Sequence, residues 1–281
     1  MADNTLTKPT NKLGILAIPL AVTILVYLPT LYDLVYDWYT DSNYSHGFLI
    51  PLVSIYLIWT TREQLSKLPV KPTSGALAIL LAGIGMFVVG TAAAEYFTAR
   101  MSFVLTLFGL TWYLLGYETI KKTWFAFFFL CFMIPVPYVI YYTVSFPMQL
   151  IATKITVGTL NVIGMGVVRQ GNIIHLAGGL SLEVADACSG IRSLVSLLAL
   201  GAIYAYWTQK KLLAQAILFL STIPIAVFAN VIRVLVTTLA ASLGLTEITE
   251  EPLHSVMGLS VFVVAFICLI LAGAIVRRIF K

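Results

Sequence analysis

The stretch that decides the fold runs from residue 212 to residue 244 and reads LLAQAILFLSTIPIAVFANVIRVLVTTLAASLG. About 20 apolar residues are enough to cross the ~30 Å hydrocarbon core of a bilayer as a helix. The run is longer than that, and Arg233 is its only charged residue. Because an arginine at the centre of a membrane helix costs roughly 2.5–3.5 kcal/mol on insertion scales, Arg233 is a candidate functional residue.

The remainder of the chain has the same apolar character. Of its 281 residues, 60% are hydrophobic and 10% are charged, against about 25% charged residues in soluble domains. This composition excludes a soluble globular protein and indicates that the lipid bilayer is its solvent. The net charge of +5 comes without a basic patch interleaved with aromatic residues, so no nucleic-acid partner is expected.

Eight stretches without Asp, Glu, Lys or Arg approach or exceed the length of a membrane span. They are Leu13–Tyr32, Ser42–Thr61, Pro72–Ala94, Met101–Tyr117, Thr123–Thr153, Ser193–Gln209, Leu212–Ile232 and Ser255–Val276. The linking segments are too short for a separate soluble domain. The sequence therefore predicts an all-α polytopic membrane protein with about eight transmembrane helices, forming one integral membrane domain over residues 1–281.

The lysine and arginine residues predict the orientation of the chain, because cytoplasmic loops carry an excess of both. With the N-terminus in the cytoplasm, 12 of the 17 basic residues fall inside. These are Lys8, Lys12, Arg62, Lys67, Lys71, Lys121, Lys122, Lys210, Lys211, Arg277, Arg278 and Lys281. We therefore expect both termini in the cytoplasm.

The fifth stretch is too long for one crossing and contains Pro135, Pro137 and Pro147. A second crossing here would move every later basic loop to the outside. We therefore expect the fifth span to end near Pro135, with Tyr138–Met165 lying at the outer interface or dipping in and returning.

The only β-like pattern follows this segment. Two short alternating runs, Asn172–Ala177 and Leu180–Val184, flank Gly178 and Gly179. Two glycines permit the positive φ angles of a tight turn, so the pattern predicts a small β-hairpin on the extracytoplasmic face.

The three cysteines have different surroundings. Cys131 and Cys268 lie in apolar helices, where a thiol acts as a small hydrophobe. Cys188 follows the hairpin at the predicted start of a helix, with Asp186 and Arg192 close by. A helix start and a neighbouring cation lower the pKa of a thiol and favour the nucleophilic thiolate. Taken alone, a structural role for Cys188 stays open.

Two further residues are expected at the same depth and on the same side. Arg233 lies about 33 Å along a helix counted from Lys211, near the outer boundary, and Asn230 shares its face. His254 opens the last span. A thiolate, an imidazole that moves protons and a guanidinium that holds an oxyanion or a carboxylate suit nucleophilic catalysis. An anchoring role for Arg233 and an interfacial role for His254 remain the alternatives.

These motifs together resemble the exosortases, bacterial relatives of the archaeosortases. The resemblance rests on Ala187-Cys188-Ser189-Gly190 before a helix, Asn230-Val-Ile-Arg233 in a later helix, His254 at the start of the last helix, and Tyr44-Ser-His-Gly-Phe-Leu-Ile-Pro51. It implies a cysteine protease or transpeptidase of the bacterial inner membrane. Its substrates would be exported proteins with a Pro-Glu-Pro motif, a transmembrane helix and a basic tail. Cys188 would be the nucleophile, with Arg233 and His254 as catalytic partners.

Other site residues and other functions remain open. His46 lies near the predicted outer face and, with Asn230, Asp186 and Arg192, is a possible supporting residue. Ser181, Ser189 and Ser193 admit a serine protease, but no G-x-S-x-G motif accompanies them. Neither metal-ligand spacing nor a cofactor fingerprint is found, so no cofactor is expected. The runner-up function is a small transporter or flippase with a polar site formed by Arg233 and His254.

Overall fold

The structure, a computed structural model, describes residues 12–176, 179–184, 191–245 and 253–280. For residues 13, 191–193 and 253–260 it describes the backbone alone. The chain divides into two compact units, Met1–Val136 and Pro137–Lys281. The expectation of a single membrane domain stays a prediction.

The first unit contains seven α-helices in its described part. They are α1 (Lys12–Val26), α2 (Leu28–Thr40), α3 (Leu49–Thr60), α4 (Arg62–Lys67), α5 (Leu77–Ala92), α6 (Tyr96–Leu115) and α7 (Tyr117–Leu130). Short 3-10 turns precede α3 (Ser45–Phe48) and α5 (Ser74–Ala76) and follow α7 (Cys131–Met133).

The second unit contains four helices and a small sheet in its described part. The helices are α8 (Tyr138–Val162), α9 (Ile191–Thr208), α10 (Leu212–Ser242) and α11 (Leu253–Ile279). The strands β1 (Val168–Gln170), β2 (Ile173–His175) and β3 (Ser181–Glu183) form an antiparallel sheet in the order β1-β2-β3.

Four helical segments in the described ranges are long and apolar enough to cross a membrane. They are Ser74–Ala92, Tyr96–Leu115, Leu212–Ser242 and Val261–Ile279. Two pairs of consecutive helices pass the same test together, α1 with α2 and Tyr117–Met133 with α8, which gives up to six spans. The chain is therefore a mostly helical protein with four to six candidate spans, and the predicted count of eight is not confirmed.

The first predicted span, Leu13–Tyr32, is wrong as a single straight helix. The chain breaks at Tyr27, and α1 and α2 are bent by 68°. Pro29 lies in the first turn of α2, where its missing N–H group costs no helical hydrogen bond, so it favours a new helix start.

The fifth predicted span ends where it was expected. The last 3-10 turn of the first unit stops at Met133, before Pro135, and α8 begins directly after Pro137. From Tyr138 to Val162 the chain is one helix of 25 residues, so it does not dip in and return within that range.

The predicted hairpin is present. Ile174 pairs with Leu182, and Gly179 in the connection has a φ of +85°. Gly178 lies outside the described residues. Strand β1 was not predicted, because its three residues Val168–Gln170 are too short to show a clear alternation.

Close packing of α5 on α6 depends on glycines. A Cβ atom at Gly90 would lie 2.6 Å from the backbone nitrogen of Ala99, and one at Gly83 would lie 2.9 Å from that of Thr106. Small residues permit such close approach of helix backbones in a membrane. Gly85, on the same helix, is exposed and has nothing within 4 Å of its Cβ position.

We expect Gly90→Ala to push α5 and α6 apart and to lower the stability of the protein by about 1–3 kcal/mol, the usual cost of overpacking. Gly85→Ala is the matched control, because it adds the same methyl group without a steric conflict. Thermal unfolding in detergent checks both variants. Equal melting temperatures for Gly90→Ala and Gly85→Ala would contradict the packing described for this helix pair.

Candidate active site

The candidate site is built on α10, the long helix of the second unit. Asn230 and Arg233 lie three residues apart, so they share one face of this helix. Both are buried, with 2% of Asn230 and 7% of Arg233 exposed. Arg233 therefore does not extend into lipid headgroups as an exposed anchor would; its guanidinium lies within the unit. Burying an arginine is unfavourable unless its environment compensates the charge, which favours a functional role.

The side-chain amide of Asn230 has no hydrogen-bond partner among the described residues. Both its Nδ2 and Oδ1 atoms are buried. A buried polar group left without a partner costs about 1–3 kcal/mol. An amide that can both donate and accept is therefore available on the face that carries Arg233.

The sheet and α10 contribute to one buried cluster, and the members from α10 are neighbours of Asn230 and Arg233 in sequence. Val231 and Val234 of α10 share one buried cluster with Ile174 and Val184 of the sheet. Ala152 and Leu160 of α8 and Leu176 also belong to this cluster. Val184, the residue directly after β3, thus belongs to the same buried cluster as the part of α10 that contains Arg233.

Helix α9 runs antiparallel to α10 and begins near the height of Arg233. Gly201 of α9 fits against Thr222, since a Cβ atom there would lie 2.3 Å from Thr222 Oγ1. From this contact, Ile191 lies ten residues back along α9 and Arg233 lies eleven residues forward along α10. At 1.5 Å per residue these are axial distances of about 15 and about 16 Å. The first turn of α9 is therefore level with Arg233.

Helix α11 also runs antiparallel to α10. Val261 shares a buried cluster with Ala229, and nearer the other end Leu269 shares one with Leu218. The backbone of His254 lies seven residues before Val261, about 10 Å along α11, and Arg233 lies four residues beyond Ala229, about 6 Å along α10. The start of α11 is thus within about one helical turn of the height of Arg233.

The opposite end of this bundle carries basic residues. The side-chain nitrogen of Gln209 donates a 3.2 Å hydrogen bond to the carbonyl oxygen of Gly273, which ties the end of α9 to α11. Lys210 and Lys211 follow Gln209, and Arg277 and Arg278 lie in the last turn of α11. The two basic segments are therefore at one end of the bundle, and the starts of α9 and α11 are at the other.

Several predicted site residues cannot be placed at side-chain level. Cys188 and Asp186 lie outside the described residues. For Arg192 and His254 the structure describes the helical backbone but no side chain. Their proximity to Arg233 stays a prediction. The helix that follows Cys188, α9, and the helix that contains His254, α11, both start near the height of Arg233.

His46 belongs to the first unit and is the second residue of the 3-10 turn Ser45–Phe48. The turn is held by its neighbours within that unit. Gly47 lies against the indole of Trp38, whose Nε1 donates a 2.8 Å hydrogen bond to the carbonyl oxygen of Met133. A supporting role for His46 in the reaction remains a prediction.

Two further polar side chains, those of Arg100 and His175, have partners among the described residues. The Arg100 guanidinium, 6% exposed, forms a 2.7 Å ion pair with Asp37 inside the first unit. On the sheet, His175 contacts Ser181 Oγ at 2.7 Å and Gln170 Oε1 at 3.4 Å, so its imidazole connects the three strands. Within the described ranges, no group of three or more His, Cys, Asp and Glu residues could hold a metal ion.

A family model for transmembrane exosortases matches residues 38–271. The chain belongs to the transmembrane exosortase family. The match covers most of the chain, so it confirms the resemblance inferred from the motifs around residues 44–51, 187–190, 230–233 and 254. No curated protein and no solved structure matches the chain.

Membership of the exosortase family establishes an integral membrane protein and points to a membrane-bound sorting transpeptidase. Every predicted site residue of this exosortase lies inside the matched range. The apolar helices long enough to span a bilayer agree with that assignment.

Sequence reasoning missed a row of polar side chains on α8 of this exosortase. Ser145, Gln149, Thr153 and Thr156 are spaced four, four and three residues apart, and each is at most 3% exposed. This spacing places them on one helix face. Their helical spacing within an apolar segment could have predicted this polar face. The three prolines of the segment were instead used to predict where the fifth span ends.

Proposed function

We propose that this exosortase is a cysteine transpeptidase or protease that cleaves C-terminal sorting signals at the extracytoplasmic boundary of the bacterial inner membrane. Its substrates are exported proteins that end in a Pro-Glu-Pro motif, a transmembrane helix and a basic tail. A substrate helix that diffuses in the bilayer presents its motif at the membrane boundary. The observation that carries the proposal is the buried Arg233, level with the starts of α9 and α11, in a chain of this family.

In the proposed reaction, the Cys188 thiolate attacks the scissile carbonyl carbon. The carbonyl π electrons move to oxygen, and the Arg233 guanidinium, with five N–H donors, stabilises the resulting oxyanion. The C–N bond then breaks and leaves a thioester on Cys188. His254 donates the proton that the departing amine requires.

The thioester is resolved by a second nucleophile. Attack by water releases a carboxylic acid and completes a proteolytic cycle, whereas attack by an external amine forms a new amide and completes a transpeptidation. In both cases the thiolate is the leaving group, and the proton lost by the attacking water or amine returns to the neutral His254 imidazole, which restores the starting state. Asn230, whose amide is buried on the face of Arg233, is a second donor for the oxyanion or for the substrate backbone.

The proposal is tested by co-expressing the protein with an exported reporter that carries the three-part signal. We expect the reporter to be shortened at the motif only when the exosortase is present. Mass spectrometry of enzyme quenched in acid should find the reporter attached to Cys188, and neutral hydroxylamine should release it, as it does thioesters. A matched reporter with the motif changed to Ala-Ala-Ala should stay intact. An uncleaved reporter with the intact signal would refute the proposed function.

The orientation of the chain is a separate prediction. Reporter fusions after Lys122, Lys211 and Lys281 should be active in the cytoplasm, and fusions near Asp41, Gly178 and Glu250 should be active outside. The basic residues at one end of the second unit support this orientation, because cytoplasmic loops are rich in lysine and arginine. A cytoplasmic signal at Gly178 would place the Cys188 segment on the wrong side for exported substrates.

A further inference from the structure

Gln149 is a buried residue on α8 that has no role in the proposed mechanism. Only 3% of Gln149 is exposed, and its Nε2 atom donates a 3.3 Å hydrogen bond to Ser145 Oγ on the preceding turn. Its Oε1 atom accepts a 3.3 Å hydrogen bond from Nδ2 of Asn172, which lies between β1 and β2. The glutamine side chain therefore links α8 to the sheet.

Asn172 continues this link to the end of β3. Its Nδ2 atom also lies 3.3 Å from the carbonyl oxygen of Val184, and its own carbonyl oxygen accepts a 3.0 Å hydrogen bond from the Val184 backbone nitrogen. Thr153 adds a parallel contact from α8, because its Oγ1 atom donates a 3.3 Å hydrogen bond to the carbonyl oxygen of Gly171. Val184 is thus connected to α8 through Asn172 and Gln149.

The position of Val184 limits where Cys188 can lie. Cys188 is the fourth residue after Val184, and an extended chain spans at most about 3.6 Å per residue, which gives about 14 Å. On the other side of Cys188 the chain enters α9 at Ile191, three residues later. The two ends of the segment that carries Cys188 are therefore fixed by β3 and by α9.

The buried apolar cluster that the sheet shares with α8 and α10 does not by itself fix this position. Hydrophobic burial is non-directional, so Ile174, Leu176 and Val184 keep most of their burial if the sheet slides along the helices. Hydrogen bonds are directional and lose most of their strength when donor and acceptor move apart. A buried hydrogen bond is also stronger than one exposed to water, because the local dielectric constant is low.

We infer that Gln149 is a positioning residue, which acts through Asn172 to fix the end of β3 and hence the segment that carries the Cys188 nucleophile. The inference rests on the proposed function for its catalytic consequence. A misplacement of about 1 Å between reacting groups can lower a rate about 100-fold, so loss of this link has a large effect without a change in the reacting residues.

The test compares Gln149→Met with Gln209→Met. Methionine has a similar length to glutamine and no amide, so Gln149→Met removes the hydrogen bonds to Ser145 and Asn172 and leaves little empty space. Gln209 is the matched control, because it is a glutamine of the same unit, is 4% exposed and links two helices at the far end of the bundle. Each variant is purified, and its kcat and KM for the reporter are measured per mole of folded protein.

We expect Gln149→Met to lower kcat between about 10-fold and 100-fold with little change in KM, and Gln209→Met to leave both constants near the wild-type values. Asn172→Ala should lower kcat by a similar factor, and the double variant should lose no more than either single variant. A kcat of Gln149→Met equal to that of Gln209→Met, after normalisation to folded protein, would overturn the inference.

Hydrogen exchange gives a readout that does not depend on activity. Peptides that cover residues 181–190 should exchange faster by about tenfold or more in Gln149→Met and at the wild-type rate in Gln209→Met. Unchanged exchange in Gln149→Met would overturn the inference even if the kcat of this variant is lowered. A wild-type protein that leaves the reporter intact refutes the proposed function instead, which separates the two failures.

Discussion

Cys188→Ala is expected to abolish cleavage of the sorting-signal reporter, because the methyl side chain cannot attack a carbonyl carbon or form a thioester. Loss of an essential nucleophile lowers kcat by about 10⁶-fold in a serine protease whose catalytic residues act as a unit, so no processing should be detectable here. The measurement is the amount of shortened reporter, normalised to the amount of exosortase in the membrane.

Cys131→Ala and Cys268→Ala are the matched controls for this variant. Both thiols are partly buried in apolar helical segments. The Cys131 Sγ atom lies 3.8 Å from the carbonyl oxygen of Phe127, one turn earlier in the chain. Neither control should change processing per molecule. Full activity of Cys188→Ala would end the thiol mechanism and return attention to Ser181, Ser189 and Ser193.

Arg233→Lys separates a catalytic guanidinium from a charge that merely anchors a helix. Lysine keeps the positive charge, but it lacks the planar fork that directs two parallel hydrogen bonds at one oxyanion or carboxylate. We expect Arg233→Lys to accumulate normally in the membrane and to lose about 100-fold or more in processing, the scale of losing one oxyanion donor.

The burial of Arg233 makes this test sharper than the sequence alone allowed. An anchoring arginine extends its guanidinium to the membrane surface, whereas 93% of Arg233 is covered in the second unit, given its 7% exposure. Arg62 is a suitable comparison, since it lies exposed over the ring of Trp59 and should tolerate lysine. Near-normal turnover by Arg233→Lys would remove Arg233 from the catalytic residues.

The candidate site was predictable from the sequence only in part. The apolar run around Arg233 and the alternating residues after Asn172 carried enough information to predict α10 and the hairpin, because both patterns are local. The same reasoning failed at Tyr27. An apolar stretch that contains prolines, here Pro19 and Pro29, fits either a straight span or two helices. Proline alone does not decide between them, because α8 and α10 contain Pro147 and Pro224 without ending there.

The link between Gln149 and Asn172 was not predictable, although both residues are visible in the sequence. Twenty-three positions separate them, and no periodicity connects a helix face to a strand turn at that distance. Likewise, the sequence gives the lengths of α9 and α10 but not their offset, which is how far one helix is shifted along the other. The contact of Gly201 with Thr222 sets that offset and brings the first turn of α9 to the height of Arg233.

By itself the sequence determined that the protein lies in a lipid bilayer, which family it belongs to and which residues are the candidate reactive groups. A chain with 60% hydrophobic and 10% charged residues must bury itself in lipid, and its few polar motifs then stand out against the apolar background. Only the tertiary structure decided that Arg233 is buried, that the sheet shares a buried cluster with α8 and α10, and that α8 holds the sheet through hydrogen bonds. Hydrophobic periodicity specifies that a helix face must be covered. Which element covers it, and at which position along the helix, depends on how the glycines and side chains of neighbouring elements fit together.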